Sequence, residues 1–308
     1  MRISGIWFLS FLMVATAACG DTGSGEGKQE TSEMKISQES TEAMDDTAET
    51  EVGRLVLDRD NLELHTLPGE LYEISGLAMS PDGRLFGHND EYGVVYQIDP
   101  DSGGVVKRFT VGKAGLEDDF EGIAIVGERF YLVNSSGDLF EFREGADREH
   151  VEFTRTKTGL KRKNDVEGLC YDPAMNALLL VCKEHPGKGF DRDDQKTIYA
   201  FSLERMELEP EPRFVLDARS IREQLDLKDF KPSGIERDPV TGSLLVVSSR
   251  EPSLVRIDKD GNLLAIGTID HPDLTQPEGI AFARDGRFII SSEGAKLLLG
   301  SLLTEERK

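Results

Sequence analysis

Three glutamates of this sequence share one position in a repeated pattern, directly before a glycine and an aliphatic residue. They are Glu121, Glu167 and Glu278, and the same position in two further copies holds Ser75 and Ser233. Carboxylate oxygens gathered from equivalent elements suit a hard divalent cation, and Ca²⁺ accepts such a set more readily than Mg²⁺. Three carboxylates in a narrow space also repel one another unless something cationic compensates them. The three glutamates are therefore predicted calcium ligands.

The pattern that carries these residues occurs five times, as Ser-Gly or Glu-Gly followed by an aliphatic residue. Its glycines, spaced 46, 46, 66 and 45 residues apart, are Gly76, Gly122, Gly168, Gly234 and Gly279. A strand-rich repeat of this length is typical of propeller blades. In each copy a turn signal and further apolar runs follow, as expected for antiparallel strands. The sequence predicts an all-β fold, a β-propeller with five blades, whose glycines let neighbouring strands approach closely.

Two features depart from the regular repeat: the last copy is short of a strand, and one interval is about 20 residues longer than the others. The last repeat lacks a convincing fourth strand, and residues 62–67 have the alternation to supply it. We therefore expect an N-terminal strand to close the ring and hide both free edges. A six-bladed ring is the alternative, if residues 202–230 and the N-terminal strands form another sheet. Residues 220–225 of that insertion look more like a short surface helix.

A second polar group is expected beside the repeated Ser and Glu positions. In a propeller blade, the start of the first strand and the end of the antiparallel second strand lie at the same end of the channel. The residues that close the second strands are His88, Asn89, Asp90, Asn134, Lys183, His185, Arg250 and Glu293. Together with Ser75 and Ser233, they are the predicted ligand-binding residues. Lys183 and Arg250 also offer an alternative to a metal, because they can neutralise the glutamates themselves.

Three functions are compatible with these residues. The first is a propeller that binds a small molecule or a protein partner over the channel mouth, with calcium. The second is a calcium-dependent phosphoester or ester hydrolase, in which Lys183, His185 and Arg250 handle an anionic substrate. The third is a scaffold without a small-molecule site. The sequence has no G-x-S-x-G elbow and no G-x-G-x-x-G after a strand, so catalytic residues stay unassigned.

The N-terminus has the features of an export signal. A basic residue and an apolar run over residues 6–15 precede Thr-Ala-Ala-Cys at 16–19, a junction similar to a bacterial lipobox. We expect Cys19 to be lipidated, with ordinary cleavage as the alternative. Residues 20–52 hold ten acidic and two basic residues and no aromatic one, which predicts a disordered tether. Residues 53–308 then form the propeller, anchored to the membrane of a bacterial cell envelope, on its periplasmic side or at the cell surface.

The overall charge restricts the range of partners. The chain has 36 Lys and Arg against 58 Asp and Glu, a formal net charge of −22. Such a chain repels phosphate backbones at long range, so we expect no nucleic-acid partner. Three cysteines are too few for a disulfide framework in 308 residues, and Cys170 and Cys182 are expected to be small buried side chains in paired strands. We expect a monomer.

The five repeats, from Ile74-Ser75-Gly76-Leu77 to Gln276-Pro277-Glu278-Gly279-Ile280, resemble those of the SdiA-regulated family, also called YjiK/CarP-like. The resemblance covers nearly all of residues 65–302. It implies an envelope-associated bacterial propeller with a link to calcium, distantly similar to phytase-like and esterase-like propellers. By this resemblance, Glu121, Glu167 and Glu278 match glutamates that face the channel. Calcium-dependent phytases hold denser acidic and basic clusters, so the resemblance does not imply phytase activity.

Overall fold

Apolar runs separated by tight turns form the strands of five antiparallel sheets, and these sheets are the blades of a β-propeller. The structure is a computed structural model that describes residues 51–113 and 115–305. Cys19 and residues 20–50 of the expected tether lie outside the described residues. In this part of the chain, no helix has the length and apolar character needed to cross a membrane.

Each blade runs from an inner strand beside the channel to an outer strand at the periphery. Blade 1 contains Ile74–Met79, Leu85–Asn89, Val94–Ile98 and Val105–Val111. Blade 2 contains Phe120–Val126, Arg129–Asn134, Asp138–Arg143 and Phe153–Lys157. Blade 3 contains Val166–Asp172, Ala177–Cys182 and Gln195–Ser202, with Glu207–Leu208 and Phe214–Asp217 both paired to its third strand. Blade 4 contains Pro232–Arg237, Leu244–Ser248, Ser253–Ile257 and Leu263–Thr268. Blade 5 contains Pro277–Phe282, Phe288–Ser292 and Lys296–Gly300.

The N-terminal part of the propeller closes the ring, as predicted. The strand Glu63–Thr66 is the fourth strand of blade 5 and lies antiparallel to Lys296–Gly300. Two more strands extend blade 4: Gly53–Leu57 pairs parallel with Leu263–Thr268, and Leu302–Glu305 pairs antiparallel with Gly53–Leu57. Strands at both ends of the described domain are thereby hydrogen-bonded into blades 4 and 5.

The alternative with six blades is wrong. Residues 202–230 add strands to blade 3 and form the helix Ala218–Leu225, as expected for a short surface helix. Asp217 caps this helix by accepting a hydrogen bond from the backbone N of Ser220 at 2.9 Å. Ala218 and Ile221 on its inner face are buried against the core. Two 3₁₀ turns, Arg59–Asn61 and Gly69–Leu71, and the short strand His150–Val151, which pairs with Val105–Val111 of blade 1, complete the elements.

The repeated glycine is required where neighbouring inner strands touch. A Cβ atom on Gly122 would lie 2.8 Å from the backbone N of Leu169 in the next blade, and one on Gly234 would lie 2.4 Å from the carbonyl O of Glu278. Real Cβ atoms do not approach backbone so closely, so no larger residue fits without moving a strand. The expectation that these glycines permit close approach is confirmed.

Aliphatic and aromatic side chains fill the spaces between adjacent blades. Between blades 1 and 2, Phe86 and Phe130 pack edge to face with ring centroids 5.0 Å apart, and both are buried. Each such fully buried side chain contributes roughly 1.5–3 kcal/mol. Cys170 and Cys182 are buried and free in the paired inner strands of blade 3, which confirms their expected role.

Candidate functional site

Each inner strand is interrupted by a β-bulge at the repeated Ser or Glu position. In blade 3 the pairing passes from Val166 directly to Gly168, and the ladder therefore skips Glu167. The pairing is also irregular at this position in the other four blades: it skips the Ser or Glu alone in blades 2 and 4, and together with the following glycine in blades 1 and 5. A bulge leaves its extra residue outside the ladder and turns that side chain away from the sheet face. The residues presented in this way at one end of the channel, called here the ring, are Ser75, Glu121, Glu167, Ser233 and Glu278.

A small cavity lies in the channel at the ring. Side chains and backbone from all five blades enclose a cavity of about 10 Å³ there, and Glu121, Glu167, Ser233 and Glu278 are among the residues that line it. A cavity of this size has room for about one water molecule. Three residues that carry carboxyl groups thus line the channel at this end.

One ring glutamate has a cationic partner. The Nζ atom of Lys183 donates a hydrogen bond to Oε1 of Glu167 at 2.9 Å, and Glu167 is only 5% exposed. This contact is the one that the sequence left open as an alternative to a metal. Burial disfavours the charged ammonium, but Glu167 and further carboxylates outweigh that effect and raise the pKa of Lys183.

The ring glutamates hold their protons unusually tightly. Burial is the main cause of the raised pKa values of Glu121 and Glu167, and mutual repulsion adds to it for Glu121. Burial and the charge of Glu167 raise the pKa of Glu278 to about 8. Lys183 acts in the opposite direction on all three groups. The ring therefore holds three carboxyl groups beside one ammonium group, that of Lys183.

The two ring serines connect blades. Ser233 donates from Oγ to the carbonyl O of Pro277 in blade 5 at 2.7 Å. Ser75 lies with Oγ at 3.4 Å from both the carbonyl O and Oε2 of Glu121 in blade 2. Both hydroxyls point to the neighbouring inner strand, so their hydrogen bonds stabilise the ring itself.

Several of the predicted ligand-binding residues have structural contacts instead of free polar groups. Asn134 donates from Nδ2 to Asp118 at 3.0 Å and accepts from the backbone N of Asp138 at 2.8 Å. His185 accepts a hydrogen bond at Nδ1 from the backbone N of Gly187 at 3.0 Å. Arg250 is exposed at the surface. Among the predicted ligand-binding residues that follow the second strands, Lys183 hydrogen-bonds to a ring side chain in the part of the chain that the structure describes.

His88 is fully buried beside the ring. Its Nδ1–H donates to the carbonyl O of Asn89 at 2.8 Å, and Nε2 has no hydrogen-bond partner in the described chain. Burial lowers the pKa of His88 to about 4, so its imidazole is neutral at pH 7. A Cβ on Gly76 would lie 2.5 Å from Nε2, which places the imidazole against the inner strand of its own blade.

Acidic residues gather where blades 5 and 1 meet. Burial and the charge of Glu73 raise the pKa of Asp90 to about 6, and the same two causes raise the pKa of Glu293. One carboxylate oxygen of Asp90 is buried without a partner among the described residues, whereas Glu293 accepts a hydrogen bond from Gln276. Sequence reasoning missed Glu73, although it stands two residues before Ser75 at the start of the same inner strand.

The fit of the ring to calcium is good in chemistry and incomplete in arrangement. All its donors are oxygens, and their mutual repulsion would be relieved by a cation. Within the described ranges, however, no three His, Cys, Asp or Glu side chains stand together as a ready set of metal ligands. Glu167 would have to exchange Lys183 for the ion. Glu121, Glu167 and Glu278 accordingly stay predicted ligands.

The fold and the ring define the class of this protein: a five-bladed β-propeller with a carboxylate-rich mouth at one end of its channel. The family model of the SdiA-regulated proteins matches residues 56–297, and the chain belongs to that family. No curated protein matches the sequence significantly.

Two solved structures illustrate the similarity of fold. A glutaminyl cyclase from Myxococcus xanthus is similar with a TM-score of 0.55 and 14% identity, over 82% of this chain and 98% of that chain. A luciferin-regenerating enzyme is similar with a TM-score of 0.50 and 11% identity, over 80% of this chain and 97% of that chain. At such low identity the likeness shows the propeller fold alone.

Proposed function

We propose that this protein is an envelope-anchored propeller that binds a ligand over the channel mouth, and that Ca²⁺ held by Glu121, Glu167 and Glu278 is part of that site. One observation carries the proposal: three glutamates, set at irregular positions of the inner strands, line a channel cavity of about 10 Å³, and Lys183 offsets one of them. The fold itself does not require three carboxylates at these positions, because a small polar residue such as Ser233 occupies the equivalent position and hydrogen-bonds to the neighbouring blade.

The energetics favour a cation at this place. Removing a carboxylate from water is costly, and each further carboxylate nearby adds repulsion. The raised pKa values of the ring glutamates have these two causes. A divalent cation compensates two charges at once, and Ca²⁺ tolerates the irregular coordination that three side chains and water would offer. Lys183 would then turn from Glu167 toward the exposed mouth and be available to an anionic group of the ligand.

Calcium binding is tested by thermal unfolding and calorimetric titration of the exported protein. Wild type, Glu121→Gln and Glu278→Gln are compared in chelator, in Ca²⁺ and in Mg²⁺. Saturation at a hundred times the dissociation constant should stabilise the wild type by about 2.7 kcal/mol, and both variants should lose this gain. Glu152→Gln is the control, because its carboxylate is 80% exposed and does not line the cavity at the ring. A wild type whose melting temperature is indifferent to Ca²⁺ would remove the metal from the site.

The hydrolase alternative gains no support from the contacts of its residues. Lys183 binds Glu167, His185 accepts from its own loop, and Arg250 is exposed. General acid–base or nucleophilic catalysis requires such groups to converge on one reacting atom. Binding is therefore the function that the geometry supports best. Turnover of phosphomonoesters or simple esters that depends on Ca²⁺ and disappears in Glu121→Gln would reverse this choice.

A further inference from the structure

The channel has a second cavity at the end opposite the ring, called here the lower cavity. Its volume is about 420 Å³, within the range of small-molecule sites. Every blade contributes to its wall, where the inner strands end: Met79, Ile125, Tyr171, Glu236, Arg237 and Phe282 are among the lining residues. The lower cavity is thus centred on the propeller axis and belongs to no single blade.

The lower cavity is separate from the ring. The small cavity at the ring is also lined by the aliphatic residue of each repeat, which follows the ring position toward the lower cavity: Leu77, Ile123, Leu169, Ile235 and Ile280. The space left there is about 10 Å³, which admits about one water molecule and no larger ligand. A ligand in the lower cavity cannot touch the ring glutamates.

Glu236 departs from the repeat at this level. Two residues after the repeated glycine, the other four blades carry small side chains: Ala78, Ala124, Cys170 and Ala281. Blade 4 places a carboxyl there, on an inner strand whose neighbours are apolar. The propeller fold does not require that carboxyl, because the equivalent position is filled by a methyl or thiol in every other blade.

Glu236 lacks a cationic partner. One of its oxygens accepts from the backbone N of Arg237 at 2.7 Å, but no Lys, Arg or His side chain of the described residues pairs with it. The guanidinium of Arg237 is bound to Asp172 at 3.2 Å. Cys170 and Tyr171 are the other titratable groups nearby, and burial raises the pKa of the Cys170 thiol. Burial raises the pKa of Glu236 to about 8.

Arg284 supplies the opposite charge on the same wall. Its guanidinium donates one hydrogen bond to the carbonyl O of Pro81 and has no carboxylate partner in the described chain. Arginine carries five N–H donors, so four stay available. The lower cavity therefore combines one unpaired carboxyl, one guanidinium with free donors and an apolar wall.

We propose that the lower cavity binds an apolar α-amino acid: its ammonium group meets Glu236, its carboxylate meets Arg284, and its side chain packs against Met79, Ile125 and Phe282. A zwitterion satisfies both charged groups at once, whereas a simple amine or a simple acid satisfies one. An ammonium group beside Glu236 favours the carboxylate, so binding at neutral pH releases a proton from Glu236.

The test is calorimetric titration of the exported protein with three probes that share a phenyl group and differ in charge: L-phenylalanine, phenethylamine and 3-phenylpropionate. Titrations in two buffers of different ionisation enthalpy measure the protons released. We expect phenylalanine to bind at least about tenfold more tightly than either half-charged probe, with release of up to one proton. Phenylalanine that gives no binding, binds no better than a half-charged probe, or binds without releasing a proton would overturn the proposal.

Variants assign the two ends of the ligand. Glu236→Gln should weaken phenylalanine and phenethylamine at least about tenfold, abolish the proton release and leave 3-phenylpropionate unchanged. Arg284→Gln should weaken phenylalanine and 3-phenylpropionate but not phenethylamine. Arg287→Gln is the matched control on the same hairpin, because Arg287 pairs with Asp285 and does not line the cavity. Unchanged phenylalanine binding in Glu236→Gln would contradict the assignment. Chelator should leave all these values unchanged, so the test is independent of calcium at the ring.

Discussion

The ammonium of Lys183 lies 2.9 Å from the carboxylate of Glu167, one of three glutamates that line the channel at the ring. Lys183 directly follows the second strand of blade 3, and Glu167 is the bulged residue of the first strand. The pair therefore belongs to one hairpin and forms with it. Its consequence is that the charge balance of the whole ring depends on a single side chain from one blade.

Removing Lys183 should be more damaging than removing the charge of its partner. In Lys183→Met, Glu167 loses its cation while still buried, and we expect the free energy of unfolding to fall by about 3 kcal/mol in chelator. Glu167→Gln should cost about 1 kcal/mol, since Gln still accepts the hydrogen bond from Lys183. Urea unfolding at pH 7 measures both. The double variant should be more stable than Lys183→Met alone, and a neutral Lys183→Met would contradict the pairing.

The carboxyl of Glu236 should make stability depend on pH in a direction opposite to that of a salt-bridged acid. The unfolded chain ionises this group above its ordinary value of 4.5, whereas the folded protein keeps the proton up to about 8. Stability is therefore fully present below pH 4.5 and lost as the pH rises toward 8. Glu236→Gln should be about 2 kcal/mol more stable than wild type at pH 8 and equal to it at pH 4. The difference is smaller than the full pKa shift implies, because Glu236 is partly exposed and solvent screens its charge. Exposed Glu204→Gln is the control, and equal melting curves at pH 8 would refute the prediction.

The contact between inner strands predicts intolerance at Gly122. Its substitution by Ala places a methyl 2.8 Å from the backbone N of Leu169, so blades 2 and 3 must separate locally. We expect a loss of about 2 kcal/mol in the free energy of unfolding, as for an overpacked core. Gly69→Ala is the control, because nothing lies within 4 Å of its Cβ position. Equal denaturant midpoints for the two variants would show that the inner strands of blades 2 and 3 can separate without cost.

Membrane attachment is predicted from the residues around Cys19. Replacing Cys19 by Ser should move the exported protein from the membrane fraction to the soluble fraction, because a diacylated cysteine is the proposed anchor. Fractionation and detection of a lipid-modified N-terminal peptide check this. Wild-type protein that is exported, soluble and free at its N-terminus would contradict it.

The repeat made most of the fold predictable. Equivalent positions of a closed ring must converge, so the periodic Glu and Ser residues implied the channel mouth before any contact was known. The closing strand was predictable for the same reason, since the last repeat lacked one. The partner of Glu167 was not, because a lysine side chain reaches several neighbours and periodicity does not choose among them. Asn134 stands at a mouth position, but its Nδ2 donates to Asp118 before the inner strand and its Oδ1 accepts from Asp138 in the turn that follows it.

The lower cavity escaped prediction for a different reason. Glu236 is followed by Arg237 and Asp238, and such a run resembles the exposed end of a strand. Only the packing of five strand ends around the axis turns that position inward. The short strand His150–Val151 was likewise hidden, because it joins blade 1 although the chain around it belongs to blade 2.

The pairing of the first described strands with the last has a consequence for biosynthesis. Gly53–Leu57 and Glu63–Thr66 leave the ribosome before any other strand, yet their partners Leu263–Thr268, Lys296–Gly300 and Leu302–Glu305 are made at the other end of the domain. The first strands must therefore wait, unpaired, for about the whole length of translation. Contacts so distant in sequence slow the final step of folding. For the exported chain proposed above, this order would keep the propeller from closing until its last strands have been synthesised.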